Sequence, residues 1–239
     1  MATVLQISDT HLRAEPNTPA DNDPDASLSA TLDAVRGVEA DLLLLTGDLA
    51  DDGSLAAVQR LREVVGGLAP RVMAVAGNHD DIDDVHSTFG GIDSMDVGAW
   101  RVLGVETFIP GEDHGCVDVE QLIRRLDQVD DRYTLLAVHH PPRSASTHPM
   151  FQLLRGDEML AALADRRHVR AVVSGHLHEA FDRREGDLQL CGSPSSYYAI
   201  AHSGDEYLLV DDGIVGAQVL TLDDDGSFSC KRVRRSLGC

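Results

Sequence analysis

The chain is poor in cysteine and in positive charge. Its 239 residues include 4 cysteines, and 20 Lys and Arg stand against 40 Asp and Glu, for a formal net charge of −20. The cysteines form no C-x-x-C pair, which argues against a disulfide framework or a thiolate zinc site and favours reduced thiols. So negative a field repels polyphosphate backbones, and extended DNA or RNA is therefore disfavoured as a partner.

Long hydrophobic runs are also missing. No apolar stretch is long enough to span a bilayer, and the first residue of metal-ligand type is already Asp9, which leaves no room for a cleaved signal peptide. We therefore expect a cytoplasmic protein with no membrane partner. No Pro/Gly/Ser-rich linker or repeat divides the chain, so we predict a single domain over residues 1–239.

The most informative stretch is LLLLTGDLADDG, residues 42–53. Its four leucines and Thr-Gly predict a short buried strand that ends in a tight turn, directly before Asp48. Taken alone, Asp48 would be interpreted as an acid in a surface turn. The pattern repeats, however, because four other apolar runs also end in Asp, Asn or His. These runs are residues 4–7, 72–75, 135–138 and 171–173, followed by Asp9 and His11, Asn78 and His79, His139, and His176 and His178.

Polar residues at the carboxyl ends of several strands predict a site, because those ends meet at one edge of an α/β sheet. Oxygen and imidazole donors without thiolate favour iron, manganese or zinc in an open rather than a structural site. We expect Asp48 at the centre of this site.

Strands and helices alternate over the first two thirds of the chain, and the last third is mostly strand. We predict strands at 3–8, 42–45, 72–76, 100–105, 134–138 and 170–174, then at 188–191, 207–210, 214–222 and 227–233. Helices are predicted to begin at Asp25 and Ser54 and to span 118–126 and 157–165. This order predicts an α/β fold of two packed mixed β-sheets flanked by helices, a four-layer α/β sandwich, rather than one doubly wound sheet.

Five short motifs follow one another along the chain. They are Asp9-x-His11, Gly47-Asp48-x-x-Asp51-x-Gly53, Gly77-Asn78-His79-Asp80, His139-x-Pro141 and Gly175-His176-x-His178. Each is weak alone, but their order and content resemble the calcineurin-like metallophosphoesterase superfamily from residue 3 to about residue 200. The resemblance implies two divalent or trivalent ions (Mn, Fe or Zn) that share Asp48. One ion would take Asp9, His11, Asp48 and His178, and the other would take Asp48, Asn78, His139 and His176.

The resemblance also implies a reaction. A hydroxide shared by the two ions would attack phosphorus in line, without a covalent phospho-enzyme. His79, to which the family pattern assigns no metal, is expected to stabilise the phosphoryl oxygens and to protonate the leaving alkoxide. Asp51 is expected to pair with His79 and favour its charged form, while Asp51-Asp52-Gly53 also suits a plain helix entry.

Other residues near the motifs are expected to have supporting positions. His140 neighbours a ligand, but adjacent side chains in an extended segment point in opposite directions, so we expect it in the pocket wall. Ser193 and Ser195 are weak candidates for pocket contacts, and the irregular segment 143–155 could overhang the site. The remaining histidines lack metal-type spacing and are expected at the surface or pocket rim: His86, His114, His148, His168 and His202.

Within the superfamily, TGDLADDG and the HHPP after a strand look most like class III cyclic-nucleotide phosphodiesterases and glycerophosphodiesterases. Protein Ser/Thr phosphatases carry Arg where this chain has Asp52, and purple acid phosphatases carry Tyr where it has Asp51, so both branches are disfavoured. After HHPP the cyclic-nucleotide branch usually has an Asp and then an Asn, whereas this chain reads RSASTHPMFQLLRGDEML. Cyclic-nucleotide and glycerophosphodiester substrates therefore both stay open.

We accordingly expect a dinuclear phosphodiesterase whose partner is a small phosphodiester. A monoesterase on a small metabolite and a non-catalytic scaffold of the same fold are the alternatives, and the complete ligand set argues against the scaffold. Arg13 and Arg143 follow motifs closely enough to reach the site, and we expect them at the pocket rim rather than on the phosphoryl group. A homodimer is compatible with the sequence.

Overall fold

The computed structural model describes residues 1–16, 23–91, 94–128, 132–210 and 212–237. Within these ranges the strands are β1 (Ala2–Ile7), β2 (Leu42–Thr46), β3 (Val72–Val75), β4 (Ser94–Val97), β5 (Trp100–Gly104), β6 (Gly115–Cys116), β7 (Tyr133–Ala137), β8 (Leu153–Leu154), β9 (Val169–Ser174), β10 (Phe181–Glu185), β11 (Leu188–Gly192), β12 (Ala199–Ser203), β13 (Glu206–Val210), β14 (Ile214–Leu222) and β15 (Phe228–Ser236). The helices are α1 (Pro24–Ala34), α2 (Leu55–Val65), α3 (Ile82–Phe89), α4 (Val119–Leu126) and α5 (Gly156–Ala164), with a 3-10 helix at Pro149–Phe151.

The first sheet has five strands in the order β15-β14-β1-β2-β3. The strands β1, β2 and β3 run parallel, with Val4 beside Leu42 and Leu43 beside Val72. Strands β14 and β15 extend the sheet in antiparallel pairing. The carboxyl ends of β1, β2 and β3 consequently lie at one edge.

The second sheet has six strands in the order β10-β11-β9-β7-β5-β4. Its four central strands β5, β7, β9 and β11 are parallel, and the edge strands β4 and β10 are antiparallel to their neighbours. Outside this sheet, β12 and β13 form a hairpin and β6 pairs with β8. The ends of β7 and β9 carry the two later histidine motifs.

The two sheets pack face to face, and helices cover their outer faces. Leu42 and Leu44 of β2 lie in the apolar layer between the sheets, together with the buried Trp100. Leu43 and Leu45 point the other way, into the core under α1, α2 and α3. The run of four leucines is thus a strand buried on both faces, as parallel strands covered by helices usually are. Helices α4 and α5 cover the second sheet, and the predicted four-layer α/β sandwich is confirmed.

The element predictions erred mainly at polar edges. Helix α1 begins at Pro24 with Asp23 as its N-cap, not at Asp25. Strands β4, β6, β8, β10 and β12 were not predicted; β10 is polar after Phe181 because it is an edge strand that borders only β11. None of the described helices is long and apolar enough to cross a bilayer.

Candidate metal centre

The five motifs meet at one edge of the sandwich, and both sheets contribute. The first sheet supplies the residues after β1, β2 and β3, and the second supplies those after β7 and β9. The two sheets are joined there, since the backbone N–H of His176 donates to Asp9 Oδ1 at 3.0 Å. The seven residues predicted as metal ligands are brought together: Asp9, His11, Asp48, Asn78, His139, His176 and His178.

Asp48 lies between the two halves of this cluster. Its Oδ2 is 3.7 Å from His11 Nε2 and 3.3 Å from His139 Nε2. In the first half, the donor atoms of Asp9, His11, Asp48 and His178 all lie within 4.8 Å of one another. One carboxylate therefore borders both groups of donors, as the bridging role requires.

The second half of the cluster is built around His139. Its Nε2 lies 3.2 Å from Asn78 Oδ1, and its ring centroid is 5.0 Å from that of His176. Both histidines are buried. Burial lowers the pKa of His176 to about 3, with the neighbouring His139 acting in the same direction, so that this imidazole is neutral at physiological pH.

Backbone carbonyls set the proton positions on three of the four histidines. A carbonyl oxygen can only accept, so the ring nitrogen that contacts it carries the proton and the other nitrogen presents a lone pair. The contacts are His139 Nδ1 to Thr46 O at 2.7 Å, His178 Nδ1 to Tyr198 O at 2.9 Å and His176 Nε2 to Met150 O at 2.9 Å. The nitrogens whose lone pairs are available to a metal ion are therefore Nε2 in His139 and His178, and Nδ1 in His176.

The backbone at the ligands is held in an unusual conformation. Among the described residues, six that are not glycine have a positive φ, and five of these belong to the predicted ligand set. They are Asp9 (φ 56°), His11 (45°), Asp48 (50°), His176 (68°) and His178 (50°). A non-glycine residue in this region costs about 1–2 kcal/mol. Such strain concentrated at one place is typical of a functional site.

Two of the motif glycines are required by close packing against the ligands. A Cβ at Gly77 would overlap the carboxylate and backbone nitrogen of Asp48, and a Cβ at Gly175 would overlap Ser8 Oγ and lie 2.9 Å from Asp9 Oδ2. These motifs therefore need glycine so that the strand ends can approach one another. The close approach brings donors from different strands within reach of one ion.

The polar atoms of the cluster fit a bound cation. Asp9 Oδ2 is buried and has no hydrogen-bond partner among the described residues, and burial raises the pKa of Asp9 to about 6. Burial alone would lower the pKa of His139, but the Asp48 carboxylate outweighs it and raises that pKa to about 9. Converging carboxylates and imidazole lone pairs with an orphaned oxygen are a donor set that a metal ion would satisfy.

The sequence predicted that the Asp51 carboxylate pairs with His79. In the structure it does not. The His79 ring contacts the main chain of Asp51, with Nδ1 3.1 Å from the carbonyl oxygen, and lies edge-on to the His11 ring at 4.8 Å. The Asp51 carboxylate lies 3.3 Å from His11 Nδ1 and 3.0 Å from Arg13 Nε. Both contacts lower the pKa of Asp51, to about 2, and the contact with His11 has the larger effect. The acid therefore orients a predicted metal ligand, because Arg13 and His11 occupy its oxygens.

His140 is buried beside His139 and His176, and both of its ring nitrogens are engaged. Its Nδ1 lies 2.8 Å from Thr107 Oγ1 and its Nε2 lies 3.1 Å from Asp113 O.

Ser195 donates to the Asp9 carbonyl at 3.2 Å, and Ser193 to the carbonyl of Pro194 at 2.9 Å. Both serines are buried, and Ser195 lines a cavity of about 130 Å³ together with His178.

The segment 143–155 supports the site instead of overhanging it. The Met150 carbonyl accepts the His176 proton, and the ring of Phe151 lies 5.5 Å from the His176 ring. Arg143 at the start of this segment pairs with Asp157 and Glu185, each at 3.0 Å.

The other five histidines are half-buried; His86 pairs with Glu106 at 2.9 Å, and His148 and His202 line an open groove of about 650 Å³ beside the β12–β13 hairpin.

Asp80 is a site residue to which the sequence analysis gave no role. Its buried carboxylate accepts backbone N–H groups of Leu49 at 2.9 Å, Ala50 at 2.8 Å and Gly77 at 2.9 Å. It thereby joins the loop after β2 to the loop after β3. The only signal was its position in the Gly77-Asn78-His79-Asp80 motif, because three backbone partners leave no mark in the sequence.

Comparisons with known proteins agree with this geometry. The calcineurin-like phosphoesterase family profile matches residues 2–180. The 3',5'-cyclic adenosine monophosphate phosphodiesterase CpdA of Pseudomonas aeruginosa is 34% identical over 93% of this chain and 86% of its own length. The protein of the same name from Escherichia coli (strain K12) is 30% identical over 95% of this chain and 87% of its own length. A dimetal phosphatase from Danio rerio shares the fold, with a TM-score of 0.63, 12% identity and 99% of each chain covered. The chain belongs to the calcineurin-like phosphoesterase family, and it is a phosphoesterase.

Proposed function

We propose that this phosphoesterase is a dinuclear metal-dependent phosphodiesterase that hydrolyses small phosphodiesters, with 3',5'-cyclic nucleotides as its substrate class. The observation that carries the proposal is the place of Asp48, whose Oδ2 borders His11 on one side and His139 on the other. The substrate class is supported by relatives of 30–34% identity that are named cyclic adenosine monophosphate phosphodiesterases.

Each half of the cluster would hold one ion. Asp9, His11, Asp48 and His178 would hold the first, and Asp48, Asn78, His139 and His176 the second. Iron, manganese or zinc would suit these donors and would supply Lewis-acid activation of water and neutralisation of phosphoryl charge. The protein orients the imidazoles through the carbonyls of Thr46, Met150 and Tyr198.

His79 would deliver a proton to the leaving oxygen. It is exposed at the rim of the cluster, and its backbone N–H donates to Asp48 Oδ1 at 3.0 Å. Because Nδ1 donates to the Asp51 carbonyl, Nε2 is the nitrogen that can gain and release a proton. This geometry supports the role of general acid for a poor leaving group such as a ribose alkoxide.

The arginines near the site are engaged by carboxylates, and this favours diesters over monoesters as substrates. A diester carries one negative charge at neutral pH and a monoester nearly two, so a monoesterase needs an additional fixed cation. Arg143 is held by Asp157 and Glu185, and Arg13 by Asp51. Both arginines are thus paired with carboxylates, which supports the diester assignment.

A substrate panel tests the proposal. The enzyme is loaded in turn with Mn, Fe and Zn, and kcat/KM is measured for bis-p-nitrophenyl phosphate, p-nitrophenyl phosphate, 3',5'-cyclic AMP, 2',3'-cyclic AMP and glycerophosphocholine. We expect the bis-ester to exceed the monoester and 3',5'-cyclic AMP to exceed the other natural diesters.

Two controls make the panel decisive. Asp48→Asn removes the shared carboxylate at nearly constant volume and should abolish activity, so activity that persists in this variant would contradict the bridging role. A higher kcat/KM for p-nitrophenyl phosphate than for its bis-ester would overturn the diester assignment, and loss of that activity in Arg13→Ala would identify the cation responsible. Preference for glycerophosphocholine would retain the reaction but replace the nucleotide substrate.

A further inference from the structure

Cys191 and Cys230 are distant in sequence and lie in different sheets, yet their sulfurs are close. Cys191 is in β11 and Cys230 in β15, and their Sγ atoms are 3.4 Å apart. Both side chains are in the apolar layer between the sheets. We propose that this pair is a reversible disulfide site that, when oxidised, ties the two sheets together.

The two sulfurs are unequal, and this inequality assigns their roles. Cys191 is fully buried, whereas Cys230 is partly exposed. The hydrogen bond with Cys191 lowers the pKa of the Cys230 thiol, and the same contact raises the pKa of Cys191. The thiolate is the nucleophile in thiol oxidation. Cys230 is thus the thiol that an oxidant in solution reaches first.

A peroxide is an oxidant small enough to act here, and the reaction then balances. The Cys230 thiolate attacks one oxygen of hydrogen peroxide, which forms a sulfenic acid and releases hydroxide. The Cys191 sulfur then attacks the Cys230 sulfur, and the Cys191 proton and the hydroxyl group of the sulfenic acid leave together as water. The released hydroxide and the proton that Cys230 first lost form the second water. The sum is two thiols and one peroxide giving one disulfide and two waters, and a dithiol reductant reverses it.

The cross-link would enclose a part of the chain that supports the metal centre. The cysteines are 39 residues apart, and the hairpin β12–β13 and strand β14 lie between them. The loop that begins after β11 contains Ser196, whose hydroxyl donates to the Ser8 carbonyl at 2.9 Å, directly before Asp9. Closing a loop of this length restricts the unfolded chain and raises thermal stability.

The test uses the metal-loaded, full-length protein with Cys116→Ser and Cys239→Ser, so that Cys191 and Cys230 are the remaining thiols. Hydrogen peroxide is added at increasing ratios, free thiols are alkylated, and peptides are mapped by mass spectrometry without reduction. We expect a mass loss of about 2 Da and one cross-linked peptide pair containing both cysteines. We also expect a rise in Tm of roughly 5 °C or more that dithiothreitol reverses.

Single variants serve as matched controls. Cys230→Ser, at the partly exposed position, and Cys191→Ala should each abolish both the cross-link and the rise in Tm. Sulfinic acid on Cys230 without cross-linking in the folded protein would overturn the proposal. A cross-link that forms only after unfolding in urea would also overturn the proposal. So would an additional, tightly bound zinc ion that protects the two thiols from peroxide, because the pair would then be a metal site together with Asp182.

Discussion

Asp51 and His79 are neighbours in space that act on different parts of the centre. The Asp51 carboxylate faces His11, while the His79 ring contacts the Asp51 backbone. A carboxylate on the far nitrogen of a ligating histidine orients the ring and makes it more basic. Asp51 is therefore expected to affect metal binding, and His79 to affect proton transfer.

Replacement of Asp51 by Asn tests the first half of this division. We expect Asp51→Asn to weaken the affinity for one metal ion by about 10–100-fold, measured by competition with a fluorescent chelator. The dependence of rate on leaving group should stay as in the wild type. Asp52→Asn is the matched control, since Asp52 is exposed and its carboxylate accepts from Ser54 N. Unchanged metal affinity with a loss confined to poor leaving groups would restore the pairing with His79.

Replacement of His79 tests the second half. We expect His79→Gln to keep a metal content near that of the wild type in elemental analysis, while kcat on 3',5'-cyclic AMP falls by roughly 10²–10⁴-fold. The fall should be much smaller on bis-p-nitrophenyl phosphate, because p-nitrophenolate leaves without a proton. His114→Gln, at a histidine paired with Glu112, is the control. An equal loss on both substrates would argue against the acid role.

At the level of elements, the site depends on how loops from different strands are joined. The 3-10 helix at Pro149–Phe151 supplies the Met150 carbonyl to His176. Asp80 joins the loops that follow β2 and β3, which carry Asp48 and Asn78. These contacts set the distance between donors from neighbouring strands.

Replacement of Asp80 by Asn should break the connection between the two loops. An amide has one acceptor oxygen, so at least one of the three backbone N–H groups, those of Leu49, Ala50 or Gly77, would lose its partner. We expect the metal-loaded Asp80→Asn protein to lose about 1–3 kcal/mol of unfolding free energy, measured by urea denaturation. Asp52→Asn should change it by less than about 0.5 kcal/mol. A value for Asp80→Asn within that smaller range would show that the loops are held by other contacts.

At the level of the whole molecule, the candidate centre spans the packing of the two sheets. Asp9, Asp48 and Asn78 follow strands of the first sheet, whereas His139 and His176 follow strands of the second. Ions held by both groups would connect the sheets at one edge. Metal binding should therefore stabilise the fold as a whole, and not only order the loops.

Removal of metal should lower the melting temperature. A ligand present at 100 times its Kd contributes about 2.7 kcal/mol, and for a chain of this size that corresponds to roughly 5–10 °C in Tm. Calorimetry of the protein before and after chelation, and after manganese is restored, measures the effect. Asp48→Asn should show little of this dependence. An identical Tm with and without metal would contradict a centre that connects the two sheets.

The sequence by itself determined the layers and the identity of the clustered residues. Apolar runs such as LLLLT predict buried parallel strands, and the carboxyl ends of such strands must meet at one edge of a sheet. Residues directly after those runs are therefore brought together, whatever the details of the loops. This reasoning brought Asp48 together with the residues that end the other runs, and the alternation of strands and helices predicted the layers; the choice of seven ligands among these residues followed from the family resemblance.

Only the tertiary structure decided which atom each residue contacts. The carboxylate of Asp51 turns to His11 and Arg13, and the carbonyl of Met150 selects Nδ1 of His176 as the donor. The sulfurs of Cys191 and Cys230 meet because β11 and β15 lie on facing sheets. Backbone carbonyls are common to every residue type, and side-chain directions depend on strand register and loop φ angles, so neither leaves a pattern along the chain.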